Sequence, residues 1–570
     1  MAEHVSPGVY SKIIDLSEYV ATVPSTIGFI PIICEQGPDN QLILTNGTDF
    51  YIDFGNPDIT YVGKAYGEGP YVASSFLKES DSLYVIRCLP PEATFSNLYF
   101  NSVLGGDSTA AVTAISKTVM TTTNALLTPI ESLSDDAVFC IYAVGRGEYY
   151  NDFKISLSLP ANPLSQETAG QYDQYILDIY QKQSEVDPVT GAAQYQIITT
   201  LNVSFDPGRL DASGESMFIQ DVVNQYCRYL NCYANQDKCV EAVNEYADFS
   251  VPFISGPVGL GNGSTGIFDQ NGKPVSDTLK QILADAYAGE LQKSKLDYQN
   301  QPNERIDEVL DIDNHYFSVV LDGGYPFDVK ASIVDLVQTR MDCMAFIDNG
   351  DNTSPGAAIN ERTSDSGGTT SINTRYVALY ESYSRVYDIY SGRDIWLTPI
   401  YHMANIIPYT DNVSEVWYAP AGFNRATIAS IKELRYSPKI GDRDQFYLNQ
   451  LNPIVKFNVG YTVYGQLTSQ RRPTSLQDVN VVRLVLYIKR ALEQFCKFFL
   501  FELNDQETWS NVQQQCDAFL KDIQNRRGLY SYSIDVGATD YEIKTKVCHV
   551  NITLQPTKVI EKIYLNFYIK

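Results

Sequence analysis

The sequence predicts a mixed α+β chain of several domains, with an α/β core toward the C-terminus, extended β-arms at both ends and a β-rich outer insertion. Three observations predict it. The 570 residues exceed one ordinary domain. The 41 Tyr and 25 Phe against 3 Trp suit pleated surfaces. Strand-like and helix-like spacings alternate between residues 316 and 348, and the longest amphipathic helices lie in the last quarter.

Residues 1–20 read as an extended arm, since Ser6-Pro7-Gly8 is turn chemistry and the β-compatible stretch after it has no nearby hairpin partner. Residues 21–100 read as a small mixed domain, with apolar runs of strand length at 27–33 and 82–87. Residues 101–320 form the insertion. A Thr/Ser/Ala-rich stretch opens it, strands follow at 137–144, 152–159, 175–180 and 195–205, and a short helix lies near 215–230. A Gly-rich loop occupies 251–275, and 276–300 has helical spacing.

Residues 321–415 read as an α/β domain: strand 316–321 leads into helix 328–340, strand 345–348, a polar loop over 349–374, and strand patterns at 376–390 and 394–399. Residues 416–556 form a C-terminal domain. In one helix Val485, Ile488, Leu492, Phe495 and Phe499 make an apolar stripe, and Arg483, Tyr487, Arg490, Gln494 and Lys497 a polar, basic one. Asn504-Asp505 caps a second helix that buries Trp509, Val512, Cys516, Phe519 and Ile523 and stops before Gly528. Strands at 529–536 and 547–554 follow, and 557–570 is a final β-arm.

Charge narrows the function. Lys and Arg total 42 against 68 Asp and Glu, a net −26. Residues 421–570 hold 20 basic and 14 acidic residues, which leaves 22 basic and 54 acidic in 1–420. An acidic body (−32) with a basic C-terminal quarter (+6) is a poor general nucleic-acid binder. The N-terminus lacks the pattern of a signal peptide, and the apolar stretch near Phe498–Phe501 is too short to span a membrane. The ten scattered cysteines, with no Cys-x-x-Cys, read as reduced cytoplasmic thiols.

Site motifs give little support for catalysis. Gly261-Asn-Gly-Ser-Thr-Gly266 matches a nucleotide-loop spacing, but Pro252, Gly256 and Pro257 precede it and a turn follows, so a flexible loop is the expectation. Cys227, Cys232 and Cys239 lack a fourth zinc ligand close by. Asp311, Asp313, Asn314 and His315 lack the downstream Gly and Glu of a calcium loop. No serine elbow or His-Glu-x-x-His motif occurs, so the expectation is a non-enzyme with no cofactor and no metal.

The C-terminal third carries a resemblance. Val416-Trp-Tyr-Ala-Pro-Ala-Gly-Phe-Asn-Arg425 resembles the Trp-x-Ala-Pro-Ala-Gly-x-x-Arg segment of contractile bacteriophage tail sheath proteins. The segment 479–488 is similar to that family's helix, and Phe501-Glu-Leu-Asn-Asp505 with Trp509 to its turn into the next. Ser6-Pro-Gly-Val-Tyr10, Leu83-Tyr-Val-Ile-Arg87 and Val320-Leu-Asp-Gly-Gly-Tyr325 resemble further family blocks, in family order. Leu503 departs from the family's usual Pro, and residues 534–541 replace a usual block, which leaves the strand geometry there open.

The resemblance implies a virion structural protein, assembled in the host cytoplasm. It would form stacked hexameric rings around a tail tube and contract from a metastable extended state during genome delivery. Its implied partners are other copies of itself, the tube protein, and baseplate and neck or terminator proteins, without direct nucleic-acid contact or membrane insertion. A tailocin or type VI-like secretion sheath is the alternative in the same class. An intracellular nucleotide-binding enzyme using Gly261–Gly266 is the alternative from another class.

Implied roles follow residue by residue. Val9, Tyr10, Ile13, Ile14, Val559, Ile560, Ile563, Leu565 and Phe567 would exchange strands between subunits. Arg483, Arg490, Lys497, Arg526 and Arg527 would face the tube. Trp417, Pro420, Gly422, Arg425, Asn504, Asp505 and Trp509 would hold the motif core.

Overall fold

A computed structural model describes residues 26–39, 41–57, 67–89, 93–101, 120–122, 126–130, 132–133, 137–158, 174–186, 192–239, 258–264, 309–364 and 368–565. The fold is α+β and multidomain. Its centre is one nine-stranded sheet. In spatial order the strands are Thr427–Ile428, Gly460–Val463, Leu451–Phe457, Val377–Glu381, Met344–Asp348, Val319–Leu321, Gly28–Ile32, Leu83–Arg87 and Leu42–Thr45. The six from Leu451–Phe457 to Leu83–Arg87 are parallel. Phe29, Ile30, Val85, Val320, Phe346 and Leu379 are buried, as both-face burial of a parallel sheet requires. Helices Gly69–Phe76 and Pro399–Val413 pack against one face and Phe327–Arg340 against the other.

This sheet corrects the expected division. Strands from the 21–100 and 321–415 segments, and from 427–463 within the expected 416–556 domain, pair in a single body. The separate C-terminal core draws on Trp417 and on residues from Leu484 onward, while Val479, Val482 and Leu486 join the core of the central sheet. Two further differences have local causes. The polar loop at 349–374 contains the helix Pro355–Thr363, started by Ser354 as N-cap and Pro355 at its first position. The pattern at 376–390 is two strands, Val377–Glu381 and Ser384–Asp388, broken where Ser382 takes φ 87°.

The insertion leaves the central sheet after Leu83–Arg87 and returns before Val319–Leu321. Its described part has two four-stranded sheets. Phe95–Asn101, Met120–Thr122, Ala137–Arg146 and Leu230–Ala234 form one, and Phe153–Ser158, Tyr175–Val186, Ala193–Val203 and Val258–Gly259 the other. Arg87 fastens it to the core. Fully buried, it donates to the carbonyls of Cys34, Glu35 and Gly37 on the core side and of Arg146 on the insertion side. Arg146 also pairs with Asp39 at 2.6 Å. A Cβ on Gly145 would sit 1.9 Å from the Gly37 carbonyl oxygen, so this approach requires glycine.

The carboxyl ends of parallel strands are where open α/β sheets hold ligands. Here that position is filled from within. Lys330 donates to Asp348 at 2.7 Å and lies 3.5 Å from Asp322. Asp348 also accepts from Thr398 and Tyr383. Nearby, Glu381 is buried and accepts from Tyr436 at 2.8 Å. Burial pushes the Glu381 carboxyl up to about 8, so it is protonated at neutral pH.

A pH dependence follows. The folded state holds the Glu381 proton up to about pH 8, whereas the unfolded chain releases it near 4.5. Its contribution to stability is therefore full below pH 4.5 and is lost as pH rises toward 8. Urea midpoints measured from pH 5 to 8 should fall with rising pH, and Glu381→Gln should flatten that slope.

Candidate subunit-contact surfaces

The C-terminal core is built on two helices. Val479–Lys497 buries Leu484, Ile488, Ala491, Leu492 and Phe495, and Gln506–Asn525 buries Val512, Cys516, Leu520 and Ile523. Asp505 is the N-cap of the second helix and accepts from the Thr508 amide at 3.0 Å. Asn504 accepts from the Trp509 indole at 2.7 Å and donates to the Val547 carbonyl, which ties the helix start to the hairpin beyond it. Trp417 is buried here and donates to the Arg526 carbonyl. Pro420 is buried, Gly422 takes φ 84°, and Arg425 donates to the Ala419 carbonyl over the Tyr418 ring. In this structure the seven motif residues hold turns and helix ends.

The hairpin is the exposed feature. Leu529–Gly537 pairs antiparallel with His549–Pro556, and no other described strand joins them. Tyr532, Ile534, Val536, Val550, Ile552 and Leu554 pack on the helical core. Between the strands, a capping box of Thr539 and Glu542 starts the short helix Asp540–Lys544, in the block where the family pattern is replaced. Both outer edges present unpaired backbone groups among the described residues. A two-stranded ribbon is marginal alone and is a template for further strands.

The chain then runs outward. Thr557 donates to the Gly528 carbonyl, and Glu561 accepts from Tyr447 at 2.9 Å. No strand is formed from 557 to 565. Ile560, Ile563 and Leu565 are 80%, 76% and 75% exposed, and Val559 is half-buried. Phe567 and the N-terminal residues Val9, Tyr10, Ile13 and Ile14 lie outside the described residues.

The five expected tube-facing cations do not share a surface. Arg483 is buried and forked onto Asp411, with its Nη1 at 3.0 Å and Nη2 at 2.5 Å. Arg490 is also buried, with its guanidinium 4.5 Å from the Tyr316 ring centre. Their stripe faces the rest of the chain, so neither supplies an inner basic surface. Helical spacing alone could not reveal Asp411, which lies on another helix. Lys497 is exposed and pairs with Asp313 at 2.5 Å. Arg526 pairs with Glu415 and Asp522, and Arg527 is exposed with φ 68°.

The other singled-out motifs serve the fold. Gly261 and Ser264 bridge to Asn97 and Thr94, and their amides donate to those carbonyls. A Cβ on Gly263 would meet Ser96 Oγ at 2.0 Å. These engaged amides are not aimed at a phosphate. Cys227, Cys232 and Cys239 are buried free thiols. Asp311 folds its own loop by accepting from the amides of Asp313 and Asn314. No described helix is long and apolar enough to cross a membrane.

Comparison with known proteins bears on this module first. Residues 472–570 match the family model of the phage tail sheath C-terminal domain. The tail sheath protein of Vibrio phage KVP40 is 33% identical over 200 residues, 34% of this chain and 30% of that protein. That of Enterobacteria phage T4 is 27% identical over 254 residues, 42% of this chain and 38% of that protein. The matched stretches thus span well under half of these relatives' length. Solved structures extend the likeness in fold. A sheath tail protein from Listeria innocua has a TM-score of 0.53 at 11% identity, covering 95% of this chain and 94% of that one. One from Desulfitobacterium hafniense has a TM-score of 0.50 at 12% identity, covering 98% and 99%. Over these stretches the chain is similar to phage tail sheath proteins, and its residues 472–570 match the phage tail sheath C-terminal domain.

Proposed function

We propose that the chain is the structural subunit of a contractile tail sheath, polymerised as stacked hexameric rings around a tail tube. It assembles extended and metastable, and contraction drives the tube through the host envelope. The observation that carries this reading is the hairpin with two open edges among the described strands, set beside Ile560, Ile563 and Leu565, which are exposed and belong to no described strand. Strand addition would satisfy both in another copy. Val559, Ile560, Ile563, Leu565 and Phe567 are the donors at one end, and Val9, Tyr10, Ile13 and Ile14 at the other. Contacts of this head-to-tail kind build open helical polymers.

The arms let subunits repack while staying linked, and a barrier between two packings holds the extended form. Baseplate, tube and neck proteins are the further partners, in the tail of the virion. The role is structural rather than catalytic, which the internally filled crevice of the central sheet supports. Electron microscopy of the expressed chain tests the reading. Long hollow cylinders are the expected result, and a persistently monomeric protein overturns it.

Tube contact falls to Lys497, Arg526 and Arg527, since Arg483 and Arg490 are buried. Exposed ion pairs such as Lys497–Asp313 contribute only about 0–1 kcal/mol and can exchange partners during contraction. Lys497→Glu with Arg527→Glu should weaken assembly on purified tubes and spare tube-free polymerisation. Co-sedimentation with tubes measures this, and unchanged binding would remove these residues from the interface.

A further inference from the structure

The turn between the two helices of the C-terminal core is an apolar knob. Phe499 packs on the core, while Leu500, Phe501 and Leu503 are exposed, Phe501 wholly so. The turn is held in shape. The amides of Phe498, Phe499, Leu500 and Glu502 donate to the carbonyls three residues back, and Asn504 ties its far end to Trp509 and Val547. The same stretch is acidic, with Glu502, Asp505 and Glu507 all exposed.

A second surface is its chemical complement. It lies beside the antiparallel pair Leu451–Phe457 and Gly460–Val463. The ring centres of Phe423 and Phe457 are 5.0 Å apart, and those of Phe457 and Tyr464 5.1 Å. Phe423 and Tyr464 are exposed, and Phe457 is half-buried. Arg443, from the helix Ile440–Leu448, sets its guanidinium carbon 5.4 Å and 5.5 Å from the Phe457 and Tyr464 ring centres. The arginines over Phe317, Trp396 and Trp417 each pair with a carboxylate as well: Asp342, Asp351 and Glu415. Among the described residues Arg443 makes no ion pair.

We propose that the knob of one copy docks on the aromatic cluster of a neighbouring copy, with Phe501 against the rings and the Glu502 carboxylate on Arg443. Charge selects this occupant. The knob is apolar and acidic, the cluster is aromatic with a cation that lacks a carboxylate, and one chain carries both. Consecutive residues hold a ring and a carboxylate on backbone atoms about 3.8 Å apart, which suits a cation set beside a ring. Aromatic and arginine anchors of this kind carry most of the energy of a contact. Knob and cluster are different surfaces, so the contact is head-to-tail and repeats from copy to copy without closing a two-fold pair. It rests on the reading of the chain as a polymer subunit, and it is separate from the exchanged arms.

The test follows assembly of the full chain by sedimentation velocity over a range of concentrations, with electron microscopy of the same samples. Arg443→Glu and Glu502→Arg should each raise the concentration needed for assembly by about tenfold or more. A 1:1 mixture of the two variants should recover most of the wild-type assembly, since each reversed knob then meets a reversed cluster on the other chain. Phe501→Ala should weaken assembly in the same way. All three side chains lie at the surface, so melting temperatures should match the wild type. Single variants that assemble as the wild type does, or a mixture that fails to recover, overturn the proposal. A loss confined to co-sedimentation with tubes would make the tube protein the occupant and overturns it too. A wild-type chain that stays monomeric at every concentration overturns the sheath reading along with this contact, whereas an assembling wild type with indifferent variants overturns the contact alone.

Discussion

A chain truncated after Pro556 should fold and fail to polymerise. Residues 557–565 form no strand, and Ile560, Ile563 and Leu565 lie in solvent, so little folding energy is lost with them. The melting temperature should stay close to that of the full chain. Assembly should change entirely, because under the proposed strand exchange each missing tail would remove a row of main-chain hydrogen bonds at every subunit. Electron microscopy and sedimentation should show monomers or short oligomers in place of cylinders. Removing residues 1–16 should have the same effect through the other arm. Normal contractile cylinders from either truncation would rule out strand exchange by that arm.

The largest effect on folding is expected at Lys330. Its ammonium is the cation facing Asp322 and Asp348, all three being buried. Lys330→Ala would leave two carboxyl groups in a site that water does not reach. Removing one partner of a buried ion pair costs about 3–5 kcal/mol. That is a large share of the roughly 5–15 kcal/mol that stabilises a domain. The variant should be largely insoluble or unfold at much lower urea. A neutral triple change, Lys330→Met with Asp322→Asn and Asp348→Asn, should recover part of the loss. A single Lys330→Ala variant with wild-type stability would mean that solvent or another cation reaches the site.

Much of the fold could be read from sequence where a strand or helix is bounded by local chemistry. The runs at 82–87 and 345–348, the helix at 328–340 and the two long C-terminal helices fall close to their observed limits. The helix Pro355–Thr363 had a usable signal in Ser354-Pro355, obscured by the polar loop around it. Other features depend on distant residues. Whether an arginine on a helix meets solvent or an aspartate depends on tertiary packing, and Asp411 decided it for Arg483. The nine-stranded sheet draws strands from three stretches of chain, and no local period encodes that pairing.

Arg87 has a mechanical meaning. A guanidinium that grips four carbonyls, three on the core and one on the insertion, resists shear between them better than an apolar contact, which slides at little cost. The insertion is thereby keyed to the sheet like a lever fixed to its axle. A small rotation of the core would sweep the insertion through a longer arc, converting turning at the centre into displacement at the rim.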